Sequence, residues 1–533
     1  MLILSRPPEA TGQALLPQDR SDVAIRERRI SLRVLVLPIG PVGPQNCRMF
    51  DFPPHPDLDC PLRAKKKTKI VATLGPASED REVLRAMMQS GMNVVRLNMS
   101  HGDHESHSRR LALVREISGE LDHPIAVLVD LQGPKIRIGK LADDQPVEWI
   151  AGEQTIITVA EWPDGTSEKV GTTYPGLASD VKPGNTILVD DGRLRLDVEA
   201  VEGDDVICRI KVGGTLRSNK GINLPGVAVS TGSLSDKDKA DLAWALTNDI
   251  EYIALSFVRT ARDVRNLRNR IAESGHKIPI IAKIERSEAV GNIDAILEEA
   301  DGIMVARGDL GIELSINKLP IIQKELILRA AQLGRLVITA TQMLESMIED
   351  PIPTRAEATD VANAVFDGTD AVMLSAETAI GRHPVGSIRE MTRILLTAER
   401  SRYLPDAVLE QGRCPFDKTT MVVTGAAHSI VESLDAAGFL VFSDGMSSAL
   451  LLSKRRNLKP AIIVCHDERT WRTYCLYWGV VALLIPRLDD VQDLLEAALD
   501  SALRHGFIRE GERLVVLYNQ AAGEVMQIRL HRV

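Results

Sequence analysis

Several short apolar runs of this chain end in charged or hydroxylated residues. NVVRLNMS (93–100) carries Arg96, Asn98 and Ser100, with His101 next; IAVLVDL (125–131) carries Asp130, with Lys135 and Arg137 beyond it. IPIIAKIE (278–285) ends in Lys283 and Glu285, and DGIMVARG (301–308) in Arg307 and Gly308, followed by Asp309. LVITATQM (336–343) holds Thr341, and AVMLS (371–375) ends in Ser375, two residues before Glu377. Taken singly, Arg96 reads as a surface ion pair and Thr341 as a helix cap. Taken together, charges closing several apolar runs point to a site, because burying them without ligands is costly. Glu285 and Asp309 are hard oxygen ligands, suited to Mg²⁺ held with waters and substrate oxygens rather than to zinc. Arg96, Arg137 and Lys283 supply positive charge for a phosphate and for charge developing during its transfer. Gly308 lets the backbone approach a ligand closely, and the Thr341 hydroxyl can position water or relay a proton. The chemistry these types share is phosphoryl transfer.

The elements that must carry them follow from periodicity. With KIVATLG (69–75) and EYIALSFV (251–258), the six runs make eight β-branched segments. Helical patterns such as EVLRAMMQSGM and SIREMTRILLTAER (387–400) lie between them. Continuous apolar strands separated by helices predict an α/β fold, a TIM (β/α)8 barrel over 65–138 and 232–402, with its chemistry at the carboxyl ends of the strands. Residues 139–231 break the rhythm with turn signals (DDQP, PDGT, KPGN, DDGR, EGDD) and runs that alternate like antiparallel strands. They predict a small β-barrel domain inserted after the third barrel strand and placed to act as a lid. Residues 403–533 predict a C-terminal α/β domain with strands TTMVVTG, GFLVFS, PAIIVCH, VVALLIP and RLVVLYN and no GxGxxG. Residues 1–64, rich in Pro and Arg and without period, read as a disordered extension or as the product of a mis-assigned start, Met49 lying near the first regular structure.

Of 533 residues, 44% are hydrophobic and 26% charged, as in ordinary globular proteins, while a net charge of -9 argues against a general nucleic-acid binder. The six cysteines show no paired spacing, which suits a reducing compartment, and no apolar run is long enough to span a membrane. The expected location is the cytoplasm. His101, His104 and His107 lack the frame of a metal site and read as residues opening a helix. Lys65, Lys66 and Lys67 read as a solvated run.

The stretches TKIVATLGPAS, GMNVVRLNMSHG, DLQGPKIRIG, NKGINLPG, IIAKIERSEAV, DGIMVARGDLGIEL and ATQMLESMIEDPIPTRAEATDVANAVFDGTDAVMLSAETA closely resemble the pyruvate kinase family, from about Thr68 to His383. The resemblance implies transfer of phosphoryl from phosphoenolpyruvate to ADP, the last step of glycolysis, with Mg²⁺ (Mn²⁺ can substitute), in a homotetramer. It assigns Lys283, Thr341, Arg96 and Ser375 to catalysis and Glu285 and Asp309 to the metal. Phosphoenolpyruvate falls on Arg96, Lys283, Gly308, Asp309 and Thr341, and the nucleotide on Thr73, Pro76, Asn98, His101, Arg137 and Lys220. Potassium-dependent members read Asp-Thr-Lys-Gly-Pro-Glu where this chain reads Asp130-Leu131-Gln132-Gly133-Pro134-Lys135. Leu131 cannot ligate, and the ammonium of Lys135 substitutes for the monovalent cation, so the resemblance is to the potassium-independent subgroup. In the C domain, FSDGMSSALLLSKRR (442–456) adds Asp444 to a sugar-phosphate loop, and LYNQAAGEVMQIRLHRV (517–533) lacks the Gly-Thr-rich segment that completes it. Competing readings are a magnesium-dependent aldolase or mutase barrel, which lacks the insertion, and a catalytically dead sensor, which would have lost Lys283, Glu285, Asp309 or Thr341.

Overall fold

Side chains alternate across a strand, so each run above has one face for the barrel axis and one for the surrounding helices. The computed structural model describes residues 66–533 apart from 228, 231, 407–408, 410–413, 443–444 and 520–525. The expectations for residues 1–64, Lys65 and Asp444, and for residues 520–525 of the C-terminal stretch, lie outside the described residues.

The chain enters with β1 (Lys69–Thr73), β2 (Val94–Asn98) and β3 (Ala126–Asp130). An insertion follows, carrying β4 (Val147–Trp149), β5 (Gln154–Thr158), β6 (Lys169–Gly171), β7 (Thr186–Val189), β8 (Leu194–Glu202), β9 (Asp205–Val212), β10 (Gly214–Leu216) and β11 (Ile222–Asn223). The chain returns with β12 (Tyr252–Leu255), β13 (Ile280–Ile284), β14 (Gly302–Ala306), β15 (Leu336–Ala340) and β16 (Ala371–Leu374). β1–β3 and β12–β16 pair in parallel and close in the order β1-β16-β15-β14-β13-β12-β3-β2, the predicted (β/α)8 barrel. Ile70, Ala72, Val95 and Val127 pack in one core with the helices. Val71, Val94, Leu128, Ala254, Ile281 and Met304 pack in another, inside the ring. That parity aims Arg96, Asp130, Ser256, Lys283 and Ser375 inward, each two residues beyond an axis-facing apolar residue.

The insertion has its own core around Trp149, Ile157, Leu196, Cys208 and Ile210. Its described strands form a six-stranded sheet, β11-β7-β8-β9-β5-β6, and a separate ribbon, β10-β4. Single bridges from Arg137 to Gly221, beside β11, and from Ile138 to Thr172, beside β6, link the two edges of that sheet through residues 137 and 138, as the expected small β-barrel requires. In the C-terminal part, β17 (Gly438–Phe442), β18 (Ala461–Cys465), β19 (Val480–Leu484), β20 (Arg513–Asn519) and β21 (Met526–Arg532) form the sheet β19-β18-β17-β20-β21. TTMVVTG, expected as its first strand, instead opens the helix Lys418–Ser433. Asp417 caps that helix, and Thr420, Thr424, Ala427 and Val431 are buried at helical spacing. Its β-branched content mimics a strand, but the three-and-four spacing of the buried residues decides.

Lys66 and Lys67 are not a solvated run. Both are buried; the Lys66 ammonium donates to Asn93 Oδ1 (2.7 Å) and Thr68 O (2.8 Å), and the amides of Lys67 and Thr68 donate to Glu399.

Candidate active site

Residues from adjacent strands converge at the carboxyl rim of the barrel. Arg96, in the middle of β2, donates through Nε to Asp130 Oδ2 at 2.7 Å and through Nη1 to Thr73 Oγ1 at 3.0 Å. Lys283 lies 3.2 Å from Asp130 Oδ1, 2.9 Å from Glu285 Oε1 and 2.7 Å from Ser256 Oγ. Burial alone would lower the Lys283 pKa, but Asp130 and Glu285 outweigh it and raise the ammonium above its usual value. Burial likewise opposes the Asp130 carboxylate, yet Lys283 and Arg96 hold it below the ordinary range. The centre is therefore a chain of alternating fixed charges, Arg96–Asp130–Lys283–Glu285.

Glu285 Oε2 accepts from the amide of Phe257 at 2.8 Å, and Phe257 takes a left-handed φ of 53° to present it. Asp309 sits in the first turn of the helix Arg307–Glu313 that follows β14. Burial, and then the negative charge of Glu285, push its carboxyl up to about 6. A buried carboxyl raised by a carboxylate neighbour fits a hard divalent cation, which would relieve it. Thr341 Oγ1 accepts from the amide of Gly308 at 2.9 Å and donates to Ala340 O at 2.6 Å. A Cβ on Gly308 would lie 3.7 Å from that hydroxyl, an ordinary contact, so the bond between the amide and Thr341 does not itself demand glycine. Ser375 follows β16, and its amide donates to Glu377 Oε2 at 2.7 Å; Glu377, raised by burial, also accepts from the Leu344 amide.

The remaining predicted contacts ring this centre. Lys135, Asp309 and Phe257 line one cleft with Asp191, Gly221, Ile222 and Asn223 of the insertion. Arg137 donates to Asn219 O of the insertion (2.9 Å), and within the insertion Lys220 pairs with Asp190 (2.7 Å). Partial burial, then the charges of Lys135, Arg96 and Arg137, lower the pKa of His101, so these four groups share one electrostatic neighbourhood. Pro76 is exposed at the start of a short 3-10 turn, and Asn98 Oδ1 accepts from the Ser100 amide at 3.2 Å. Thr73 is engaged by Arg96 and donates to Leu374 O, which makes it part of the arginine's setting. His104 pairs with Asp241, and His107 donates through Nε2 to His101 O; no group of three metal-ligating side chains occurs among the described residues.

Residues 65–388 match the pyruvate kinase barrel domain, and residues 422–531 match the pyruvate kinase alpha/beta domain. The chain belongs to the pyruvate kinase family. It is 42% identical over 475 residues to a pyruvate kinase of Geobacillus stearothermophilus, covering 88% of this chain and 80% of the other. It is 43% identical to pyruvate kinase 2 of a Synechocystis strain, covering 85% and 76%. A solved pyruvate kinase from Cryptosporidium parvum superposes with a TM-score of 0.82 at 34% identity, covering 87% of this chain and 96% of that one. The chain is thus an enzyme of the phosphotransferase class that these pyruvate kinases define.

Within this pyruvate kinase frame, the Leu131 side chain is fully buried in the hydrophobic core and carries no oxygen, while its backbone carbonyl accepts from Ser256 Oγ at 2.7 Å. Two rim residues escaped the sequence reading. Ser256 and Phe257 are uncharged and close an apolar run, yet one accepts from Lys283 and the other donates to Glu285. The signal available was parity, since Tyr252, Ala254 and Ser256 alternate on the axis-facing side.

Proposed function

We propose that this pyruvate kinase transfers the phosphoryl group of phosphoenolpyruvate to ADP, giving pyruvate and ATP, as the last step of glycolysis in the cytoplasm. The observation that carries the reading is the buried Lys283 ammonium, fixed by Asp130, Glu285 and Ser256 beside Arg96. In this reading Lys283 and Arg96 grip the phosphoryl oxygens and hold the charge that develops as the bond from phosphorus to the enol oxygen breaks. The substrate carboxylate meets the Gly308 and Asp309 amides at the start of their helix, beside Thr341. The Thr341 hydroxyl, with Ser375 nearby, directs a proton to the enolate carbon. Glu285 and Asp309 would hold Mg²⁺ or Mn²⁺, which supplies Lewis-acid neutralisation of phosphate charge. ADP would lie toward Thr73, Pro76, Asn98, His101, Arg137 and Lys220, under an insertion that closes as a lid.

The same reading divides the chain into an extension (1–64), the barrel (65–138 and 232–402), the lid (139–231) and the C domain (403–533). It takes the chain as a homotetramer that needs no potassium, with the Lys135 ammonium standing in for the cation. No helix among the described residues is long and apolar enough to cross a membrane. The test couples pyruvate formation from phosphoenolpyruvate and ADP to lactate dehydrogenase, with Mg²⁺ present. The protein should produce pyruvate, and Lys283→Met should lose on the order of a thousandfold or more in kcat. An inactive parent protein would overturn the reading.

A further inference from the structure

Two consecutive non-glycine residues directly after β15, Thr341 (φ 66°) and Gln342 (φ 53°), adopt left-handed backbone. Such conformations persist only where the surroundings over-determine them. Here one side chain does so. Arg307, buried at the start of the Asp309 helix, donates through Nη2 to Thr341 O (2.6 Å) and Gln342 O (3.2 Å). Its Nε reaches Ala340 O (3.3 Å) and Thr341 O (3.2 Å). Its Nη1 bonds Asp360 Oδ1 (2.7 Å), on the helix Arg355–Asp367, and Gln323 Oε1 (3.4 Å). The guanidinium thus takes the carbonyls of three successive residues on one side and is oriented by a carboxylate on the other. The outcome is the placement of Thr341 Oγ1 on the Gly308 amide.

We propose that Arg307 is a positioning residue for the proton-delivering hydroxyl. Held by Asp360, it clamps the 340–342 turn so that Thr341 faces the reacting carbon, and it touches no substrate itself. This rests on the reading of Thr341 given above. Lysine cannot replace it, because an ammonium presents its donors from a single atom and lacks the planar fork that spans three carbonyls and Asp360.

The experiment is a double-mutant cycle on the full chain with Arg307→Lys, Thr341→Ala and the pair, recording kcat, KM for phosphoenolpyruvate and the thermal midpoint. Arg307→Lys should lower kcat about tenfold to a hundredfold, as expected for a reacting group displaced by an ångström or less, with a smaller change in KM. In the Thr341→Ala background it should lower kcat no further. If Arg307→Lys fails to fold, Asp360→Asn, which keeps the guanidinium but frees it, reads the same coupling in both backgrounds. Equal losses in both backgrounds overturn the positioning role while leaving the Thr341 reading intact. An unchanged kcat for Thr341→Ala alone overturns that reading itself.

Discussion

Lys283 has three N–H donors and three acceptors already in place, Ser256, Asp130 and Glu285. A phosphoryl oxygen can reach the ammonium only by taking the place of one of them, and Ser256, the neutral one, is the least costly to release. The same neighbourhood bears on the monovalent cation. Lys135 lines the cleft with Asp309, while Leu131 is sealed in the core. On the function proposed above, this fixed ammonium would supply the charge that a dissociable cation would bring. Activity in sodium or Tris buffer should be close to that in potassium. The double substitution Leu131→Thr/Lys135→Glu should lose activity that added potassium restores several-fold. A many-fold potassium stimulation of the parent protein would contradict the assignment. At this scale the sequence was readable wherever an apolar run turned charged, and unreadable at Ser256, whose role comes only from the lysine on the neighbouring strand.

Elements show where periodicity suffices and where it misleads. The eight barrel strands were legible because a strand covered on both faces must be apolar throughout. TTMVVTG has the same composition and is helical, because its neighbours bury every third or fourth residue. The helix Arg307–Glu313 shows a consequence that composition conceals. Along with Asp309 it carries Glu313, whose Oε1 lies 2.9 Å from Arg286 Nη1, with Glu288 close by. Burial, partly offset by Arg286, pushes the Glu313 carboxyl up from 4.5 to about 7. A carboxyl whose folded pKa is raised binds more protons in the native state, so its contribution to stability is present below 4.5 and lost as pH rises through about 7. Glu313→Gln removes this titration. The unfolding free energy of the parent protein, measured by urea titration relative to the variant, should fall between pH 4.5 and 7 by up to a few kcal/mol and then level off. A difference independent of pH would show that Glu313 titrates alike in the folded and the unfolded chain.

Over the whole molecule, the order of barrel strands, inserted β strands and C-terminal sheet was legible, but the join between barrel and C-terminal part was not, because its partners lie far apart in sequence. Lys454, at the end of the helix Met446–Lys454, meets Asp370 from 84 residues away, just before β16. Arg456 reaches the same carboxylate at 3.1 Å and lies over the Trp478 ring at 5.0 Å. Asp370 also accepts from the amide of Val337 in β15 at 2.8 Å, so one fully buried carboxylate ties two barrel strands to the C domain. In sequence these residues look like ordinary surface charges, as Lys66 and Lys67 did. Removing one member of such a group is expected to cost far more than replacing the group. Lys454→Met should destabilise the protein by about 3–5 kcal/mol, because Asp370 is left buried with one counter-charge fewer. Lys454→Met/Asp370→Asn should recover a large part of that loss, since the uncompensated charge goes with its partner. Thermal and urea unfolding of the two variants and the parent protein decide the matter. A double variant no more stable than Lys454→Met would mean that the carboxylate's bond to Val337, and not its charge pairing, holds the join together.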